Sequence, residues 1–121
     1  MSVDWRRICS IDDIPVCGAR VLRGDGIPDI AVFRTEDDRV FAVRDRCPHK
    51  GGPLSQGIVH GARVTCPLHA WVIDLRSGAA VEPDIGATPC FSVRCVGRDV
   101  FLRSDELMRP AAVVASVACG A

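Results

Sequence analysis

An all-β, antiparallel architecture is what this sequence predicts, and three observations predict it. Short β-branched segments recur along the chain, separated by clusters of Gly, Pro and Asp that turn it. Gly51, Gly52, Pro53 and Gly57 exclude a stable helix from the middle, because these two residue types have the poorest helix propensities. Two mixed pairs, Cys47-x-His49 and Cys66-x-x-His69, must converge from two loops, since residues two apart on a helix point in different directions.

At 121 residues the chain is long enough for one modest core and too short for two. A 48% hydrophobic and 25% charged composition with a formal net charge of zero argues against a nucleic-acid binder or a disordered tail. No run of eighteen apolar residues occurs, so no helical membrane span is expected. Arg6-Arg7 has the twin-arginine form of an export signal, but Asp12, Asp13 and Pro15 interrupt the apolar region that would have to follow. A cytoplasmic protein is the expectation. Beyond Cys47 and Cys66, five cysteines remain: Cys9, Cys17, Cys90, Cys95 and Cys119. An odd number cannot all pair, and they are read as thiols, mostly small core residues.

The first strand is expected between Asp4 and Cys9, ended by the turn at Ile11–Pro15. Cys17–Leu22 and Asp29–Phe33 read as a hairpin around Arg23-Gly24-Asp25-Gly26, whose glycines suit positive φ. After the polar turn Thr35–Asp38, Arg39–Arg44 is a strand that delivers the chain to Cys47. Ile58–His60 and Arg63–Thr65 bracket Gly61-Ala62 as a second hairpin, feeding Cys66. Trp71–Ile73 enters the turn Asp74–Gly78, and Ala79–Val81 pairs back. Pro83, Gly86 and Pro89 mark an irregular connection. Phe91–Cys95 alternates like a half-buried strand and turns at Gly97-Arg98 into Asp99–Leu102. Ser104 caps a short helical turn with Asp105 and Glu106 near its N-terminus. One domain is expected over residues 4–104, its metal-binding part about 45–85, and a flexible tail over 105–121.

Two cysteines and two histidines satisfy tetrahedral zinc, but zinc fingers pair Cys with Cys and His with His, whereas each half here mixes them. In Rieske centres, two imidazoles replace two thiolates on one iron of a [2Fe–2S] cluster. Cys47-Pro48-His49-Lys50-Gly51-Gly52 with Cys66-Pro67-Leu68-His69 resembles that motif in its four ligands, its prolines and its glycines. The resemblance implies an antiparallel β-sandwich or barrel with a small cluster-binding subdomain of two loops on short strands. It implies one [2Fe–2S] cluster per chain, with Cys47 and Cys66 on the inner iron and His49 and His69 on the outer one. Replacing two thiolates by neutral imidazoles removes two negative charges, which raises the potential above the roughly −400 mV of plant-type ferredoxins. High-potential relatives carry an extra cysteine in each loop, joined as a disulfide; Gly52 and Leu68 stand at those places, which points to the ferredoxin-like branch. Glycine allows the backbone N–H groups of Lys50 to Gly52 to approach and donate to cluster sulfurs, and simple turn formation is the other reading of these glycines; both can hold.

From about Trp5 to Leu102, with Lys50–Gly57, Cys66–Leu75 and Pro83–Gly86 as its best segments, the chain is similar to the small subunit of assimilatory NAD(P)H-dependent nitrite reductase. That resemblance implies an electron-transfer subunit working with a large partner that carries flavin, a [4Fe–4S] cluster and sirohaem. Substrate chemistry is not expected from this chain alone, since nitrite reduction consumes six electrons and one cluster passes one. A free-standing Rieske ferredoxin serving an oxygenase and a zinc-stabilised interaction module are the alternatives. Elsewhere, His60 reads as an exposed hairpin residue, Trp71 as core, and Lys50 and Arg63 as solvent-facing charges.

Overall fold

The structure, a computed structural model, describes residues 4–24, 27–48, 51–68, 70–81 and 85–107. Among these residues, ten strands and one short α-helix follow in order: β1 (Trp5–Ser10), β2 (Gly18–Leu22), β3 (Ile30–Arg34), β4 (Val40–Arg44), β5 (Ile58–His60), β6 (Arg63–Thr65), β7 (Val72–Asp74), β8 (Cys90–Phe91), β9 (Val93–Val96), β10 (Asp99–Arg103) and α1 (Ser104–Leu107). They form three antiparallel sheets ordered β1-β10-β9, β2-β3-β4-β8 and β5-β6-β7. The all-β expectation holds, and helix is a minor component.

The middle sheet explains two runs that do not alternate. Successive strand residues face opposite ways, yet all of Ile30-Ala31-Val32-Phe33 and of Val40-Phe41-Ala42-Val43 are buried. Ile30, Val32, Val40 and Ala42 enter one core with Val93, Val100 and Leu102 of the first sheet. Ala31, Phe33, Phe41 and Val43 enter a second core with Val59, Val64 and Ile73 of the third. The β2-β3-β4-β8 sheet is therefore covered on both faces, and the second core contains both Cys47 and Cys66.

Most boundaries fall within a residue or two of those expected, and both hairpins pair as read. Gly61 has φ +58° and Gly97 φ +60°, as tight turns require. At the first hairpin, Asp25 and Gly26 lie outside the described residues, and Gly24 does not adopt positive φ. The single strand expected over Phe91–Cys95 is instead two: β8 pairs with β4, and β9 with β10. The break is at Ser92, whose N–H and hydroxyl donate to Glu106 at 2.7 and 3.0 Å. Glu106, expected near the N-terminus of a short helical turn, is 2% exposed, and Leu107 is buried beside it, so packed chain runs on past residue 104. Loss of a buried acceptor strands its donors. Glu106→Ala is therefore expected to cost about 2 kcal/mol in urea unfolding, and Glu106→Gln, which keeps an acceptor, distinctly less.

Among the remaining cysteines, Cys9, Cys17 and Cys95 are thiols as expected, but of these only Cys9 is a core residue, whereas Cys17 and Cys95 are exposed. Desolvation pushes the Cys9 and Cys95 thiols up in pKa. Cys90 corrects the expectation: it is disulfide-bonded, since an odd count forbids complete pairing but permits one bond. Cys119 and the rest of the tail after Leu107 lie outside the described residues. Among those residues, no helix is long and apolar enough to cross a membrane.

Candidate metal centre

Two loops carry the cysteines, and the same backbone closure builds both. In the first, the Cys47 N–H donates to the Gly52 carbonyl at 2.7 Å, and the Gly51 N–H returns to the Cys47 carbonyl at 2.9 Å. In the second, the Cys66 N–H donates to the Trp71 carbonyl at 2.7 Å, and the Ala70 N–H returns to the Cys66 carbonyl at 3.1 Å. Each loop thus closes between cysteine and the residues four and five positions later. The residue at the fourth position has positive φ in both, Gly51 at +74° and Ala70 at +59°. Glycine adopts this conformation freely, whereas Ala70 holds it at a cost of about 1 kcal/mol that the loop's hydrogen bonds offset. The Gly51 N–H is taken up by this closure, the turn-forming role also read for the loop's glycines. Lys50 lies outside the described residues.

The loops also touch each other. A Cβ on Gly52 would stand 2.9 Å from Leu68 Cγ and 3.1 Å from Cys66 Sγ, so only a glycine lets the first loop lie against the second thiol. Gly52 and Leu68 are the two positions at which the resemblance drawn from the sequence put the absent disulfide, and here a glycine-to-leucine contact joins them. Strand ends fix the approach. β4 runs into the first loop and β6 into the second, and Cys47 and Cys66 are buried at 2% and 3% exposure as members of the second core. Neither is in a disulfide.

Below the first loop, the Asp45 carboxylate accepts from the Ser55 N–H at 2.7 Å and from its hydroxyl at 2.8 Å. That pair ties the entry of the loop to the 3-10 turn Leu54–Gln56 at its exit. The sequence reading missed Asp45 and Ser55; a short acid–serine pair ten residues apart carries no periodicity to find it. Residues 85–89 cover the side of the site. A Cβ on Gly86 would lie 3.3 Å from Pro48 and 3.6 Å from Trp71, and the Thr88 N–H donates to the Gly78 carbonyl at 2.8 Å. Trp71 is half-buried against the second core, as read. His60 is exposed, its Nε2 2.7 Å from the Thr65 hydroxyl, and Arg63 is exposed opposite it.

The turn beneath residues 85–89 is held by Asp74, which accepts from the Arg76 backbone at 2.8 Å and from its guanidinium Nη2 at 2.9 Å. The Arg76 side-chain bond holds the Asp74 carboxyl below the usual carboxylate range. A depressed folded pKa stabilises the fold above the unfolded value and loses that contribution as pH falls through the folded value. The urea midpoint of Asp74→Asn is expected to lie below that of the native protein at pH 7, the difference narrowing below about pH 4.

His49 and His69 lie outside the described residues, so of the four expected ligands the structure places Cys47 and Cys66. What it places fits a cluster: two non-disulfide cysteines from two matching loops, buried, with a glycine surface against one sulfur.

The Rieske [2Fe-2S] domain family matches residues 4–92. The 3-phenylpropionate/cinnamic acid dioxygenase ferredoxin subunit of Escherichia coli (strain K12) is 33% identical over 100 residues, which are 81% of this chain and 92% of that one. A 4beta-methylsterol monooxygenase of Methylococcus capsulatus is 50% identical over 46 residues, but these are 38% of this chain and only 12% of that protein's length. Among solved structures, the complex of oxygenase and ferredoxin in carbazole 1,9a-dioxygenase contains a chain matching with TM-score 0.72 and 25% identity, over 82% of this chain and 92% of that one. A protein described as a nitrite reductase NADPH small subunit matches with TM-score 0.72 and 25% identity, over 82% and 97%.

Proposed function

This chain belongs to the Rieske [2Fe-2S] domain family, and from that premise we propose that it is a one-electron relay serving a larger catalytic oxidoreductase. The cofactor of such a domain is a [2Fe–2S] cluster, which when bound supplies a one-electron couple. In this reading Cys47 and Cys66 hold the inner iron and His49 and His69 the outer one, within a domain over residues 4–104. The chain's own contribution is to bury the two thiolates, keep water from them with the second core, and fix the loops through Asp45, Gly52 and the paired backbone closures.

The observation that carries the finer reading is coverage: a ferredoxin subunit of an aromatic-acid dioxygenase is matched over 92% of its length at 33% identity, so this chain contains a counterpart of nearly all of that subunit. That supports a ferredoxin delivering electrons to an oxygenase. The nitrite reductase small subunit, the first choice from sequence, keeps specific support of its own in the 97% coverage of the protein so described and in the segments Lys50–Gly57 and Cys66–Leu75. Anaerobic transfer decides between them. The reduced protein is mixed with a purified aromatic-ring oxygenase and, separately, with a sirohaem-flavin nitrite reductase large subunit. Single-turnover reoxidation by the oxygenase alone supports the first reading, and co-purification with the sirohaem subunit overturns it in favour of the second. Iron and acid-labile sulfide absent from anaerobically purified protein would leave zinc as the metal and sink both.

A ligand-specific test follows from charge. His69→Cys replaces a neutral ligand by an anion, so the variant is expected to keep a cluster whose potential falls toward roughly −400 mV. An unchanged potential in a voltammetric titration would count against His69 as a ligand.

A further inference from the structure

Beside the first loop lies a cleft of about 350 Å³ whose lining includes Arg44, Arg46, Pro48, Gly51, Thr88 and Pro89. Two guanidiniums and no carboxylate line it among the described residues. The backbone brings them together: a γ-turn at Asp45, in which the Arg46 N–H closes on the Arg44 carbonyl at 2.7 Å, places both side chains on the one cleft. Arg46 is also held against the loop, since its Nε is 3.0 Å from where a Cβ on Gly51 would stand.

Arg44 and Arg46 are two of six arginines without a carboxylate partner among the described residues, with Arg6, Arg20, Arg63 and Arg94, and of these only Arg44 and Arg46 line the cleft. Arg7, Arg23, Arg34, Arg39, Arg76, Arg98 and Arg103 each pair with an aspartate. Arg44 and Arg46 pair with none among the described residues, although Asp29 and Asp45 line the adjoining hollow of about 290 Å³ with them. Those two carboxylates are engaged elsewhere, Asp45 by Ser55 and Asp29 by Arg23. A chain of zero net charge offers no long-range steering, so a local pair of unmatched cations next to the cysteine loop has a local meaning. We propose that the Arg44–Arg46 cleft receives a carboxylate side chain of the redox partner, docking it against the first cluster loop. The planar guanidinium fork suits a carboxylate in two-point contact, and a glutamate or aspartate is of a size to enter between Pro48 and Pro89. The proposal rests on the relay reading above.

The test needs no identified partner. Reduced holoprotein is oxidised by ferricyanide in a stopped-flow instrument at low ionic strength, alone and with hexaglutamate or hexalysine as competitor. Hexaglutamate is expected to slow the native protein and hexalysine to leave it unchanged. R44Q/R46Q is expected to react with ferricyanide about tenfold more slowly, with a flatter salt dependence and no response to hexaglutamate. Removing cations near the cluster lowers its potential, which favours oxidation, so a slower rate cannot arise from driving force. R44K/R46K keeps the charge without the fork: the ferricyanide rate is retained while hexaglutamate protection weakens. The proposal is overturned if hexaglutamate fails to protect the native protein, if R44Q/R46Q matches it, or if the lysine variant is fully protected. Visible absorption and paramagnetic resonance before mixing separate the two levels. A native protein without a cluster overturns the relay reading and this proposal together, whereas an intact cluster insensitive to hexaglutamate overturns the cleft alone.

Discussion

A Cys66→Ser variant is expected to purify without the visible absorption and the reduced-state paramagnetic resonance of a [2Fe–2S] cluster, its affinity for the cluster lowered by more than about a hundredfold. Residues that only orient metal ligands are worth about 10–100-fold, and a thiolate bound directly to iron exceeds that. Burial complicates the experiment, because Cys66 is 3% exposed and belongs to the second core, so a colourless protein could also be a poorly folded one. Cys9 supplies the control. It is equally buried at 3% and lies in the first core, on the far side of the central sheet from the loops. Cys9→Ser is expected to keep its cluster while losing comparable stability. Loss of cluster in both variants, or in neither, would remove Cys66 from the ligand set.

The second large effect is steric. Gly57→Ala is expected to lower stability by about 3 kcal/mol, at the upper end of overpacking costs, and the melting midpoint by roughly 10–20 °C. A Cβ there would overlap the Thr65 carbonyl oxygen, meet Val64 Cγ2 at 2.9 Å and approach the Leu54 carbonyl at 3.1 Å. Backbone on two sides leaves nothing flexible to yield. Thr65 immediately precedes Cys66, so the displaced strand end carries the second thiol with it, and the apoprotein should take up less cluster on reconstitution. Gly61→Ala is the comparison, because a Cβ there meets no atom within 4 Å. Its cost is confined to the positive φ of +58°, about 1 kcal/mol, with cluster uptake unchanged. Equal melting midpoints for the two variants would refute the steric account.

The cluster type was legible because the motif that suggests it is local. Cys47-x-His49 and Cys66-x-x-His69 set out a mixed donor set within short loops, and the loop chemistry of Gly51, Gly52 and Pro53 is visible residue by residue. The hairpins around Gly61 and Gly97 were legible for the same reason, since a tight turn is decided by the few residues it contains. Phe91–Cys95 misled because its alternation is that of a strand, while the interruption at Ser92 is caused by Glu106, a residue fourteen positions away. The partner was the least legible feature, because electron-exchange surfaces are assembled from separate loops, and those loops are shared by ferredoxins and reductase subunits.

Sequence by itself determined the antiparallel β class, the two cysteine-bearing loops and the cluster type they suit, since each depends on residues near one another in the chain and on the twofold alternation of strands. Tertiary structure alone decided that the central sheet is buried on both faces, that both loops share one closure, and that Gly52 lies against Cys66. It also decided that Arg44 and Arg46 line one cleft beside the first loop without an ion-pair partner among the described residues. Each of those is a relation between segments distant in sequence, fixed by packing and by the directions of hydrogen bonds, for which no local pattern of residue types exists.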